Sequence, residues 1–400
     1  MRTAPDQRHG YRILAFAVAL LALACGMRNG AGAATLTVGP GLQFQRVSDA
    51  AKVARDGDEI EIAAATYARD VTVWTQRQLR IRGVGGRPVL DARGTVAEGK
   101  AIWVFRSGDH VVDGIEFRGA RANDQNGAAI RFEGGRLVIR NCKFEDNENG
   151  ILGGNDASAE LVIEDSEFSR APRDRGPLKH LLYVGRIGRF SMTGSRMHQG
   201  FEGHLVKSRA RVSELRYNLI YDGDGGKAAY EVEFPDGGVA IVVGNVIGQS
   251  ATTTNPVVVA YGAEHEVWPE NALYLVNNTL TSDRPWGGWF LRVWEATFSS
   301  PPRVVAVNNL TVGLGVFILG APGRFEGNFP AWSRALGEAG TLDFALGKSS
   351  WLAGLGTTPP VRADIDLAPT AEFRLPRGVS PIARPSAWTP GAFQTGDPRR

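Results

Sequence analysis

"ELRYNLI" at 214–220 is followed by "IVVGNVI" at 241–247, "LYLVNNTL" at 273–280 and "VAVNNLT" at 305–311. Each segment is a short alternating strand that closes on an asparagine, then one residue, then usually a large apolar one. Working outward, "LVIRNCKF" (137–144), "LVIEDSEF" (161–168) and "FSMTGSRM" (190–197) keep the pattern with smaller polar residues. The polar column reads Cys142, Ser166, Ser195, Asn218, Asn245, Asn278 and Asn309, at spacings of 24, 29, 23, 27, 33 and 31. A repeat of this length with about two strands and glycine turns per unit is one coil of a solenoid. Small polar side chains stacked at a tight bend satisfy buried backbone groups, which gives the column its reason. Leucine-rich repeats would need a leucine comb and a helical return, and neither is present. A propeller would need antiparallel four-stranded blades of greater length. The chain is therefore expected to be all-β, a single-stranded parallel β-helix.

Both ends of the repeat agree. In "FQRVSDAAKVARDGDEIEIAAATY", Val47, Ala50, Ala51 and Ala54 fall at helical spacing, the helix stops at Gly57, and the strand "EIEIA" follows. A short amphipathic helix over the first coil protects an open solenoid end from edge pairing. This opening, and the tail "FRLPRGVSPIARPSAWTPGAFQTG", resemble the two ends of right-handed parallel β-helix proteins of the pectin-lyase-like superfamily. The resemblance covers the chain beyond its leader. It implies a right-handed coil over 34–320 with an N-terminal capping helix, closed by an irregular C-terminal cap over 321–400.

The leader itself is distinct. Arg2, Arg8 and Arg12 precede the apolar run "ILAFAVALLALA", and "AGA" at 31–33 suits a signal peptidase, so residues 1–33 read as a secretory signal. Cys25 in "LALACG" raises a lipoprotein reading, against which Ala22 stands where such sites usually carry leucine. The protein is expected in the periplasm or outside the cell. No later stretch is long enough to span a bilayer. After cleavage one thiol, Cys142, is left, so packing rather than an internal disulfide must hold the fold.

A net charge of +3 gives no reason to expect nucleic acid, but its distribution is organised. Arg170 to Arg211 holds ten Lys/Arg against Asp174 and Glu202, and Asp222 to Asp236 holds five acids against Lys227. Between the polar-column segments runs a second set of strands: "GILGG", "HLLYVGR", "GHLVKSR", "AYEVEFP", "VVVAYG" and "WFLRVW". Strict alternation sends Leu182, Val184, Val206, Ser208, Val232 and Phe234 inward. Tyr183, Lys207 and Glu233 then point outward on adjacent coils about 4.8 Å apart. Arg209 and Glu231 flank them on the same face, and His180, His204 and Tyr230 lie near the strand starts. A solvated face of cross-strand ion pairs is the plain alternative.

The strings "HLVKS…YN" and "GNVI" are similar to part of the alginate lyase and chondroitinase B family. On that resemblance Lys207 takes the place of the family's lysine base. The family's arginine signature is replaced here by "VEFPDGG", and Gly203 stands where a calcium-ligating acid often precedes the lysine. The expected partner is then an acidic polysaccharide, cleaved by β-elimination. Lys207 would take the proton, Tyr183 would protonate the leaving oxygen, and Arg209 or His204 would offset the substrate carboxylate. Positive neighbours would have to lower the Lys207 pKa for this, and pairing with Glu233 would raise it. Glu231 and Glu233, about 6.8 Å apart along one strand face, offer a hydrolase or epimerase alternative. A non-catalytic binding or assembly module gripping a polyanion is the third reading.

Tyr230, Tyr261, Trp268, Trp286 and Arg292 are the candidate substrate contacts. Trp268, Trp286, Trp289 and Trp294 gather on two later coils, where indole faces suit sugar rings or the core. No cofactor is called for. Asp222 and Asp224 in "YDGDGGKA" offer oxygen ligands to calcium, or are ordinary turn residues. The chain is read as a monomer.

Overall fold

The computed structural model describes Met1 and residues 32–394, except 175, 177, 178, 338–340, 348 and 364. The leader with its three arginines and Cys25 lies outside the described residues. Among the described residues, three parallel sheets of twelve, ten and eleven strands run the length of a right-handed solenoid. Between the ends, each coil gives one strand to each sheet, and each such strand pairs with its counterparts one coil before and one coil after. The first strand is Thr35–Val38 and the last of the stack is Phe329–Ala331. The following chain forms two short hairpins and otherwise irregular structure. It folds back along the outside of the coils, where the Gly378 amide donates to Gly194 and Ala392 to Thr279 Oγ1.

The helix Val47–Val53 buries Val47, Ala50 and Ala51 over the first coil. Its own N-cap, Arg46, supplies no capping side chain. Asp70 does so from the next coil, accepting from the Val47 and Ser48 amides at 2.6 and 3.1 Å. No helix among the described residues is long and apolar enough to cross a membrane.

The polar column is a continuous hydrogen-bonded ladder. Cys142 N–H donates to Ser166 Oγ, Ser166 N–H to Ser195 Oγ, and Ser195 N–H to Asn218 Oδ1, at 3.1, 3.1 and 2.9 Å. Asn218, Asn245 and Asn278 continue it onto Asn309, which passes it to Asn328. Every rung from Cys142 to Asn309 is completely buried. The residue before each rung turns the corner in the left-handed region: Asn141, Asp165, Gly194, Tyr217, Gly244, Asn277 and Asn308 have φ between 48° and 67°. Glycine, asparagine and aspartate tolerate that conformation best. Tyr217 is the departure, and its hydroxyl accepts from the Thr370 amide of the returning tail at 2.9 Å. Burial pushes the Cys142 thiol up to about 12, so it is an inert rung.

The ten-stranded sheet carries the candidate site, and its faces do not alternate strictly. Two neighbouring residues in each strand enter the core: Ile102 and Trp103, Ala129 and Ile130, Leu181 and Leu182, Leu205 and Val206, Val258 and Val259, Phe290 and Leu291. The fifth position is also internal, as at Phe105, Phe132, Val184, Phe234, Tyr261 and Val293. The first and fourth positions therefore face outward, and Ala101, Val104 and Ala128 make a separate small cluster there.

Candidate functional site

This pattern builds two outward columns, three residues apart along each strand. Tyr183 pairs in register with Lys207, and Lys207 with Glu233, so the fourth positions form the charged column as expected. The first positions give His180, His204 and Tyr230, with ring centroids 4.8 and 5.0 Å apart. His180 Nδ1 accepts from the His204 amide at 3.0 Å and lies 3.1 Å from His204 Nδ1. A bare nitrogen there fits a neutral His180, which burial and then the His204, Lys207 and Arg209 charges push well below the ordinary histidine range. His204 must then carry its proton on Nδ1. Its Nε2 stands 2.7 Å from Glu233 Oε2, without the alignment of a hydrogen bond. Burial lowers His204 while Glu233 opposes that, and His204 and Lys207 in turn hold the Glu233 carboxyl below its ordinary value against its burial.

The charged column is densely paired. Lys207 Nζ lies 3.1 Å from Glu233 Oε2 and donates to Glu264 Oε1 at 2.7 Å. Arg209 gives Nε to the Tyr183 hydroxyl at 2.8 Å, Nη1 to Asp236 Oδ1 and Nη2 to Glu264 Oε2. Asp236 is completely buried and takes a further bond from Arg186 Nε at 2.7 Å. Burial alone would lower Lys207, but Glu233 and Glu264 outweigh it and hold its ammonium above the ordinary value. Burial likewise works against Glu264, yet Lys207 and Arg209 bring its carboxyl down to about 2. The cationic neighbours expected to lower Lys207 are not its contacts. Two carboxylates are.

A groove of about 550 Å³ opens beside this network on the preceding coils, lined among others by Lys100, Arg131, Asn149, Leu152, His180 and Tyr183. Arg131 Nε and Asn149 Nδ2 have no hydrogen-bond partner among the described residues. Tyr183 joins the two regions. Because its oxygen already accepts from Arg209, its own O–H is left as a donor.

Several expected contacts lie elsewhere. Glu231 does not flank Lys207: it occupies the second position of its strand, in line with Leu205, and is completely buried. Two adjacent inward residues displaced it from the outer face, so Glu231 and Glu233 are not a carboxylate pair. Burial pushes Glu231 well above the ordinary carboxyl range, with Asp222 adding to it. Tyr261 is a core residue at the fifth position, its hydroxyl donating to the Gly238 carbonyl at 2.6 Å. Asp222 is also buried, and its carboxylate accepts from the Gly200 and Ala228 amides at 2.7 and 2.9 Å. It is a turn residue, with Asp224 exposed beside it. Tyr230 and Arg292 do face outward, and Arg292 lies 5.7 and 4.4 Å from the Trp289 and Trp294 ring centres. Trp286 is 87% exposed, and Trp268 is half-buried with Nε1 donating to the Arg209 carbonyl at 3.0 Å.

Glu264, Asp236 and His265 were not singled out by the sequence reading. They lie on turns, and for Glu264 and His265 the usable signal was the "AEHEVWPEN" insertion that stretches the Asn245–Asn278 spacing to 33; Asp236, in "EFPDGG", had none. These three place one ligand atom each within 4.8 Å of one another. Arg209 already holds Asp236 and Glu264, and Arg186 holds Asp236, so a cation there would face two guanidinium groups. The donor set does not fit a metal.

No family model matches the chain, and no curated protein matches it. Among solved structures it is similar to the crystal structure of pectate lyase Pel9A, with a TM-score of 0.58 and 13% identity. The likeness covers 90% of this chain and 96% of that one. The likeness shows the fold of this chain to be a right-handed parallel β-helix.

Proposed function

We propose that the chain is an exported polysaccharide lyase that cleaves an acidic, uronate-containing polymer by β-elimination. The observation that carries this reading is the junction at Tyr183, where an open groove meets a lysine and an arginine held on adjacent positions of the outer face. The likeness to a pectate lyase supports an acidic polysaccharide as the substrate class. The arginine-flanked apolar leader supports export.

In this reading Arg209 offsets the charge of the substrate carboxylate, which makes the adjacent C–H acidic enough to lose its proton. Lys207 takes that proton, the C–O bond to the leaving sugar breaks, and the leaving oxygen receives the Tyr183 proton. Lys207 can act only as the free amine, so its two carboxylate partners oppose the step and turnover should rise with pH. The same pairing favours one rival: a binding strip in which Lys207 stays an ammonium and only grips the polymer.

A panel of uronate polysaccharides separates the two readings. An enzyme of this type generates the ultraviolet absorbance of an unsaturated uronate. Retention of acidic polymers with no such absorbance would replace the lyase by the binding strip.

A further inference from the structure

Glu264 spans Lys207 and Arg209 with its two oxygens, one to Nζ at 2.7 Å and the other to Nη2. A planar carboxylate held by two cations in this way has the form in which a bound acid would be held. We propose that the space between Lys207 Nζ and Arg209 Nη2 is a carboxylate subsite, and that Glu264 is a built-in competitor that must swing out before a hexuronate carboxylate can enter. The inference rests on the acidic-polymer reading for its ligand class, but on the Glu264 geometry for its content.

Three observations carry it. The first concerns cover: the side chains of Lys207 and Arg209 are only 11% and 12% exposed, while that of Glu264 is 32% exposed. Glu264 is thus the layer between these cations and solvent. The second concerns how the turn is fastened. The Glu264 and His265 amides donate to the Pro235 carbonyl at 3.0 and 3.3 Å, and Trp268 Nε1 is tied to Arg209. The main chain is pinned, so the movable part is the side chain, and its exit leads to water. The third concerns charge. Lys207 keeps Glu233 and Arg209 keeps Asp236 whichever carboxylate fills the gap. Exchanging Glu264 for a substrate carboxylate therefore leaves no cation unpaired at any stage of binding.

The subsite also lies on the line of the groove. Arg209 Nε holds the Tyr183 hydroxyl, and Tyr183 lines the groove wall, so a sugar whose carboxylate replaced Glu264 would sit against the Tyr183 proton donor. While Glu264 fills the gap, only the fraction of molecules with it displaced can bind, and the apparent affinity falls by that fraction.

The test is binding of free galacturonate and glucuronate, with galactose and glucose as neutral matches, by calorimetry on the full chain. None of these has a glycosidic bond at C4, so no elimination intrudes. Glu264→Ala should bind the uronates about tenfold more tightly than the parent, with no change for the neutral sugars. Arg209→Met in the Glu264→Ala background should remove that gain. Glu264→Gln, which keeps the size but not the charge, should fall between the two. Unchanged or weaker uronate binding by both Glu264 variants overturns the subsite, even if the parent cleaves polymers. A uronate gain in a protein that cleaves no polymer keeps the subsite and removes the lyase.

Discussion

Arg209 Nε donates to the Tyr183 hydroxyl at 2.8 Å, so a guanidinium and a phenol from neighbouring coils act as one unit. Removing the phenol oxygen takes the proton donor from the proposed elimination but leaves Arg209 its bonds to Asp236 and Glu264. Tyr183→Phe should therefore lower kcat on an acidic polymer by about a hundredfold with KM little changed. Steady-state kinetics check it, and an equal loss in KM alone would make Tyr183 a binding group.

Lys207→Ala should abolish turnover, because abstraction is a task of the transition state, and should also weaken polymer retention on an affinity gel, because Lys207 Nζ forms one side of the proposed carboxylate subsite. Full activity in this variant would rule out Lys207 as the base.

Asn245 serves four partners: it accepts from the Asn218 amide and gives its own amide to Leu215, Val243 and Asn278. Asn245→Ala leaves several of these buried groups without a partner and should cost about 3 kcal/mol. Asn245→Ser should cost less, since Ser166 and Ser195 accept from the coil before them in the same way. Denaturant unfolding of both variants measures the difference.

Glu231 gives a prediction in pH. Its folded carboxyl is held well above the ordinary value of 4.5, so the folded protein keeps a proton that the unfolded chain releases. Stability conferred by the neutral acid is full below the unfolded value and declines as pH rises towards the folded one. Glu231→Gln is neutral throughout. It should match the parent near pH 4 and be the more stable protein near pH 7, by thermal melting across that range.

The coils from Cys142 to Asn309 and their ladder were legible because small polar residues recur at one corner where a buried bend needs an acceptor. Tyr183, Lys207 and Glu233 were legible too, since the fourth position of each strand faces outward under either pattern. Tyr261 stands at a fifth position, in register with Phe234, which is inward under either pattern, so only Glu231 was misplaced by the period. Period-two alternation describes a flat strand, whereas each of these strands turns two neighbours inward, as at Leu205 and Val206. Glu264 and Asp236 lay beyond any periodic reading, because turns pack by their particular contacts and repeat nothing. The groove residues Lys100 and Arg131 sit on coils whose sequence shows no cluster of chemistry.

The ladder also has a direction. Along Ser195, Asn218, Asn245 and Asn278, each rung's amide N–H finds its acceptor on the coil that comes after it in the chain. A corner is therefore incomplete until its successor has been made, and a chain shortened from its C-terminus ends on a corner whose donor has lost its acceptor. Growth from the N-terminus would always carry one unfinished corner at its leading edge, and Asn328, accepting from Asn309 at 2.9 Å, is where that debt of hydrogen bonding passes out of the fully buried column. Coils added or removed in the middle would preserve the chain of acceptors; the last ones cannot be lost without exposing it.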